Sequence, residues 1–225
     1  MRRYSFRILI ALLFICAFSN SHAEVHEIVI TQTSNIQSSF QYTKDDTGEL
    51  TVDQVINNPN ILWQKEATGT ANFGITTVPY WLRFKLKNES HKSISLIAAL
   101  DYPLLDDVIF YEFLGSTKIR ELSTGDTRPF YPRDVDHPIM SLRFDLEPEQ
   151  VKTIYIRVQT DGSMILPLRI WQENTFFAEA AKEQKLHFFY FGCLTVIILI
   201  NFAVFLTLRE KLYLYYAVAI SGYLL

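Results

Sequence analysis

The sequence predicts a mainly β protein: a jelly-roll-like antiparallel β-sandwich, followed by a long helix that enters a membrane and an incomplete second transmembrane helix. Two observations predict this order. Short runs rich in Val, Ile, Phe and Tyr alternate with turn-forming residues over most of the chain. The segment 188–208 then contains no charged residue, and as a helix it would be about 31 Å long, close to the thickness of a hydrocarbon core.

The region 24–173 is expected to contain at least seven short strands. The clearest is 79–87, in which Leu82, Phe84 and Leu86 alternate with Trp81 and charged residues, so one face is expected to be buried and the other exposed. The other strands are expected at 24–31, 93–100, 107–113, 139–146, 151–159 and 165–171. Frequent short strands of this kind are typical of an antiparallel sandwich.

One short helix interrupts the strands. Thr51 is followed three residues later by Gln54, which is the pattern of a capping box, and Asn57-Asn58-Pro59 ends the helical segment. A helix is therefore expected at 51–57.

The periodicity changes after the last strand. Asn174 is placed to N-cap a helix that continues without Gly or Pro through a juxtamembrane part, 174–187, into a first transmembrane helix, 188–208. After Arg209-Glu210-Lys211, the apolar run 212–225 is too short to span a bilayer and is interpreted as the start of a truncated second helix. A continuous helix would transmit displacement of the sandwich, and a plain membrane anchor is the alternative.

The N-terminus has the pattern of a secretory signal peptide, 1–23. Basic residues precede an apolar core at 8–18, and Ser21-His22-Ala23 forms a small-x-Ala cleavage site; an uncleaved anchor is the alternative. Cleavage would place residues 24–187 in the periplasm, outside the cytoplasmic (inner) membrane of a bacterium. Neither cysteine lies in this region, because Cys16 is in the signal segment and Cys193 in the first span.

The charge of the exported region excludes one class of partner. Residues 24–187 contain 16 Lys+Arg and 23 Asp+Glu, a net charge of −7. Nucleic acids and anionic lipid surfaces require a basic footprint. No nucleic acid is therefore expected as a partner.

The sequence contains no pattern typical of a catalytic or metal centre. The histidines are scattered without metal-ligand spacing. Asp106 and Asp107 are adjacent on a strand and would point to opposite faces, which is wrong for a glycosidase pair. Asp134 and Asp136 resemble only a fragment of a calcium loop. We expect no catalytic residue, no metal and no cofactor, and therefore no enzyme in this chain.

A ligand-binding surface is the remaining hypothesis. Trp81 and Arg83 share the polar face of strand 79–87, and Tyr111 adds another ring; aromatic rings beside charged groups can stack on sugars or apolar ligands. Arg128 and Arg133 bracket a loop and could clamp a carboxylate or phosphate. The alternatives are that the rings belong to the core and that the loop arginines are merely solvated.

The order of several motifs resembles a known family. The motifs are Tyr80-Trp81-Leu82-Arg83-Phe84, Thr124-Gly125-Asp126 with Pro129, Phe130 and Arg133, Ile156-Arg157-Val158 with Gly162, and Leu166-Pro167-Leu168 with Trp171. They are similar to the type 2 extracellular domain of bacterial seven-transmembrane receptors with diverse intracellular signalling modules (7TMR-DISM). The segment from Phe189-Tyr190-Phe191-Gly192 to Tyr215-Tyr216 resembles the start of the seven-helix region of that family.

The resemblance implies a receptor that senses a small molecule, with a carbohydrate as one ligand class. Further transmembrane helices and a cytoplasmic output module, such as a cyclase, kinase or phosphatase, would lie beyond residue 225, and a homodimer is a further partner to test. The alternative is a membrane-tethered carbohydrate-binding or cell-envelope interaction module without signalling.

Overall fold

The computed structural model describes residues 25, 27–30, 36, 38–129 and 133–223. The expected signal peptide, 1–23, lies outside these residues. The chain divides into two compact units, Met1–Trp171 and Gln172–Leu225, and we describe each unit separately.

The first unit contains eleven described strands and one short helix. The strands are β1 (Glu27–Ile30), β2 (Phe40–Lys44), β3 (Gln64–Glu66), β4 (Thr70–Ile75), β5 (Tyr80–Asn88), β6 (Ile94–Leu100), β7 (Asp107–Leu114), β8 (Thr117–Thr124), β9 (Met140–Leu146), β10 (Val151–Gln159) and β11 (Ser163–Gln172). The helix α1 is Val52–Asn57.

These strands form two sheets. The seven-stranded sheet has the order β3-β2-β5-β10-β7-β8, and β1 adds to β5 as a parallel partner. The four-stranded sheet has the order β4-β11-β6-β9. The other assigned strand pairs described here are antiparallel, which confirms the mainly antiparallel β class.

One apolar core joins the inner faces of the two sheets. Leu82, Phe84 and Leu86 of β5 are fully buried in it, as their alternation predicts. The four-stranded sheet contributes residues such as Leu96 and Leu142 to the same cluster. Each fully buried side chain of this kind contributes about 1.5–3 kcal/mol, so the sheets are held face to face as a sandwich.

The helix α1 has the predicted start. Thr51 is its N-cap; the Gln54 backbone N–H donates to Thr51 Oγ1 at 3.3 Å, and the Thr51 backbone N–H donates to Gln54 Oε1 at 2.8 Å. Two orphan N–H groups of the first turn region are therefore satisfied reciprocally, which confirms the capping box.

The second unit consists of two helices. The helix α2 runs without interruption from Glu173 to Leu208, which is 36 residues, and in length and composition it is a candidate membrane span. It begins at Glu173 with Gln172 as its N-cap, which makes no side-chain capping bond; the expected cap, Asn174, instead lies in the first turn. The left-handed residue Arg209 ends α2, and α3 follows at Lys211–Ser221.

Candidate ligand-binding site

Trp81 lies on the predicted face of β5, but that face is not exposed. The side chain is completely buried in a second cluster, separate from the sandwich core, with Val52, Val55, Tyr111 and other residues. The expectation that Trp81 is a surface residue is therefore wrong. Trp81 is buried because the valines of α1 pack on this outer face of the seven-stranded sheet. Alternation along a strand distinguishes the two faces but does not show what covers each face.

Strand register brings three of the five predicted residues together on this outer face. The pairings Gln41–Arg83, Arg83–Tyr155, Tyr155–Tyr111 and Tyr111–Glu121 form one row across five strands. Directly paired residues in an antiparallel sheet point to the same side. Arg83 and Tyr111 therefore share a face with Trp81, and Tyr155 lies between them in the row.

Arg83 is the charged residue at the centre of this face. It is 7% exposed, its Nε donates to Gln41 Oε1 at 2.9 Å, and its guanidinium carbon lies 4.0 Å from the centroid of the Trp63 ring. Burial lowers the pKa of Arg83, and the interaction with Tyr155 partly opposes that effect. The guanidinium is thus held between an amide, a phenol and an indole, the arrangement that favours planar stacking.

The aromatic rings around Arg83 are packed in a defined order. Trp81 stacks on Tyr111, with the ring centroids 5.7 Å apart. The Lys118 ammonium also lies 5.7 Å from the Tyr111 centroid. Trp63 meets Tyr155 edge-on at 6.4 Å. Burial raises the pKa of both tyrosines, so their hydroxyls remain neutral hydrogen-bonding groups.

Trp63 and Trp81 differ in how deeply they are buried. Trp81 is buried, and its Nε1 has no hydrogen-bond partner among the residues that the structure describes. Trp63 is only half-buried. Of these two rings, only Trp63 is therefore partly accessible from outside the cluster.

The segment that covers the face is held down by a loop at 45–50. The buried carboxylate of Asp45 accepts hydrogen bonds from the backbone N–H groups of Gly48 and Leu50 at 2.8 and 3.0 Å. Arg157, the register partner of Trp81, donates to the Gly48 carbonyl at 3.3 Å. These bonds fix the start of the segment that carries α1.

The two loop arginines have different partners. Arg128 forms an ion pair with Asp107 at 2.6 Å, at the start of β7, and Asp107 also lies 3.6 Å from Arg157. Arg133 donates to the carbonyl oxygens of His137 and Pro138 at 3.2 and 2.7 Å. The structure therefore does not bring Arg128 and Arg133 together as one clamp in its described residues.

Sequence reasoning missed a charged cleft between the two sheets. Its volume is about 400 Å³, and we call it the charged cleft. It is lined by Glu112, Arg120, Asp134, Arg143, Phe144, Asp145 and Lys152. The sequence does contain a signal for this cleft. Glu112 and Lys152 occupy positions of β7 and β10 that point into the sandwich, where apolar residues are expected.

One wall of the charged cleft is built on the edge strand β9. Arg120 forms an ion pair with Asp134. Arg120 Nη1 donates to the Arg143 carbonyl at 3.0 Å, and the Arg143 N–H donates to Asp134 Oδ2 at 3.0 Å. Asp134 is thus engaged by arginine and backbone. Within the described residues, no group of three or more His, Cys, Asp or Glu side chains is placed to hold a metal ion.

The adjacent acids Asp106 and Asp107 have separate partners. Asp106 Oδ2 accepts hydrogen bonds from Thr160 Oγ1 and the Asp161 N–H at 2.9 and 2.7 Å. Asp107 instead pairs with Arg128. Both carboxylates hold loops in place.

Several solved structures of low sequence identity match this chain. TmCBM61 in complex with β-1,4-galactotriose is 10% identical, with 63% of this chain and 93% of that chain covered and a TM-score of 0.30. The GH31 α-xylosidase from Xanthomonas citri is 13% identical, with 66% of this chain and 16% of that chain covered and a TM-score of 0.28. TM-scores this low carry no argument about function. No curated protein matches the sequence.

A family model gives the decisive comparison. The model described as 7TMR-DISM extracellular 2 matches residues 37–172, a range that contains ten of the eleven strands and the aromatic outer face. The match covers more than half of the chain and ends where the last strand ends. The chain therefore belongs to the 7TMR-DISM extracellular 2 family.

Proposed function

We propose that residues 24–173 are the ligand-sensing domain of a bacterial transmembrane signal-transduction receptor. The observation that carries this proposal is the family match over 37–172, on a sandwich whose last strand is followed directly by a 36-residue helix with no charged residue over 188–208. In this proposal the sandwich is periplasmic, α2 crosses the cytoplasmic membrane, and α3 begins a second span.

The ligand is a small molecule, and the aromatic outer face is its first candidate site. Trp63 and Arg83 offer a stacking surface with a positive charge, and the guanidinium is held in place by its hydrogen bond to Gln41 Oε1. Such a combination suits a carbohydrate-like ligand, whose apolar ring faces stack while its hydroxyls bond to polar groups. Trp81 and Tyr111 belong to the same cluster, and Arg128 and Arg133 are secondary candidates on the loop before β9.

The signal would pass to parts of the receptor beyond residue 225. A ligand that binds one arrangement of the sandwich better than another shifts the population toward that arrangement. The direct succession of β11 and α2, without an intervening flexible linker, supports a mechanical relay to further helices and a cytoplasmic output module.

The test compares two tryptophan variants in the full chain in detergent micelles. We expect Trp63→Ala to abolish the thermal shift produced by a binding sugar while changing the melting temperature little, because Trp63 is half-buried. Trp81→Ala removes a completely buried ring and should cost about 3–5 kcal/mol of stability.

The screen uses sugars, organic acids and nucleotides as probes, and Trp171→Ala serves as a control on the other sheet. Unchanged sugar binding by Trp63→Ala would remove the aromatic face as the site. The absence of any response to the whole panel would count against the small-molecule sensor itself.

A further inference from the structure

The charged cleft contains an ion pair at positions that a sandwich normally fills with apolar residues. Glu112 follows Phe110 on the inward side of β7, and Lys152 precedes Ile154 on the inward side of β10; both of these apolar neighbours belong to the core. The Lys152 ammonium lies 2.7 Å from Glu112 Oε1, and the two side chains are 10% and 5% exposed.

Stability does not account for this pair. Removing two charges from water is costly, and replacing a buried ion pair with apolar residues of similar size is often neutral or stabilising. Where a sequence breaks its own pattern of inward apolar residues, the reason is commonly functional. The pair also lines a cleft of about 400 Å³, which is at the small end of the range for ligand pockets.

The charges of the cleft balance. Its lining contains three cations, Arg120, Arg143 and Lys152, and three acids, Glu112, Asp134 and Asp145. An anionic ligand that paired with Lys152 would leave the buried Glu112 carboxylate without its cation, and a cationic ligand would do the reverse. Both exchanges are unfavourable, because each leaves a buried charge uncompensated.

We propose that the charged cleft is a second binding site, distinct from the aromatic outer face, for a small zwitterion of the size of a single amino acid. The carboxylate of the ligand would take Lys152 and its ammonium would take Glu112, so that one internal ion pair is exchanged for two pairs with the ligand. Phe144 supplies an apolar contact for a short side chain.

The wall of the cleft is preorganised for such an exchange. The Arg120–Asp134 pair is anchored on the backbone of Arg143, and Asp145 Oδ1 accepts a hydrogen bond from Ser95 Oγ at 2.5 Å. Because the wall residues are held by these bonds, the Lys152–Glu112 ion pair is the one that would separate when the ligand binds. Because these two residues lie on the same strands as Tyr155 and Tyr111, occupation of the cleft would be felt on both faces of the seven-stranded sheet.

The first test compares each amino acid with two analogues, which we call its halves, that each retain only one of its two charged groups. The full 225-residue chain in detergent micelles is titrated calorimetrically with each of the twenty common amino acids, and then with the amine and the acid obtained by deleting one charged group. For L-alanine these are ethylamine and propionate. We expect at least one neutral amino acid to bind, and its two halves to bind at least about thirty-fold more weakly.

A pair of double variants locates the site. Glu112→Gln with Lys152→Met removes both charges together, should remain folded, and should lose amino-acid binding. The matched control, Lys87→Met with Glu89→Gln, removes a more exposed pair at the same separation of 2.7 Å, and should bind as the unaltered chain does.

Three results would overturn this proposal: no amino acid binds, a half binds as tightly as the whole, or the Glu112/Lys152 double variant keeps its affinity. The comparison of halves uses the unaltered chain, so it decides the question even if the double variant does not fold. Sugar binding that survives in every variant would leave the sensor proposal standing while the zwitterion site fell.

Discussion

At the scale of single residues, Gly125 shows how a loop fixes the chemistry of its neighbours. Its φ is +142°, and a Cβ placed there would lie 2.1 Å from the carbonyl oxygen of Asp106. The same carbonyl accepts a hydrogen bond from Thr127 Oγ1 at 2.7 Å. The Thr124-Gly125-Asp126 motif therefore allows the chain after β8 to touch the backbone before β7, which positions Asp107 for Arg128.

Gly125→Ala should destabilise the sandwich by more than about 2 kcal/mol, because strained φ and steric overlap with backbone act together. The control is Gly115→Ala, where φ is +60° and no atom lies within 4 Å of the added methyl; this change should cost about 1 kcal/mol, the cost of the left-handed conformation alone. Chemical denaturation measures both free energies of unfolding. Equal losses in the two variants would show that the close approach at Asp106 is not rigid.

At the scale of elements, α1 determines what the outer face of the seven-stranded sheet can do. It is a helix of only six residues, too short to be stable alone. Its two buried valines and its capping box therefore have to secure it over Trp81. A change at the cap should loosen the cover without touching the aromatic rings.

Thr51→Ala should lower the free energy of unfolding by about 1 kcal/mol and increase the accessibility of Trp81 to a fluorescence quencher. Thr51 is exposed, so no core packing is lost. Thr117→Ala, at an exposed position of the edge strand β8, is the control and should leave both quantities unchanged. Unaltered quenching in Thr51→Ala would mean that the cap does not hold the cover.

Local signals predicted the elements that carry them. The capping box specified α1, and alternation in β5 separated the core side from the other side. The strands β2, β3, β4 and β8 were not predicted. β3, β4 and β8 are sheet edges whose side chains are largely exposed, and β2 is a five-residue strand; none of them shows the alternation of a half-buried strand. The cover over Trp81 could not be derived from β5 alone, although the apolar side of the predicted helix needed some surface to pack against.

The candidate sites differ in the same way. Arg83 and Tyr111 were selected for their chemistry, and strand register brings them into one row. The Lys152–Glu112 pair joins residues 40 positions apart, so no local pattern could show that the two charges meet. What remained unpredicted was the pairing of distant strands, which depends on the whole sandwich.

At the scale of the whole molecule, an acidic β domain is followed by a helix without charged residues over 188–208. In the proposed topology the domain is outside the cytoplasmic membrane. Alkaline phosphatase fused after residue 185 should therefore be active, and the same reporter fused after residue 210 should be inactive. Green fluorescent protein at the two positions is the complementary control; bright fluorescence after residue 185 would contradict the topology.

The ion pair of Arg120 and Asp134, which we call the clamp, also hydrogen-bonds to the backbone of Arg143 in the edge strand β9 and so limits pairing of β9 with another molecule. An edge strand presents N–H and C=O groups to which a strand of another molecule can add, and such additions begin aggregation. At Arg143 both groups already have partners within the chain. Loss of this clamp would leave the backbone groups of Arg143 open to pairing with another copy of the chain, so we expect self-association before unfolding.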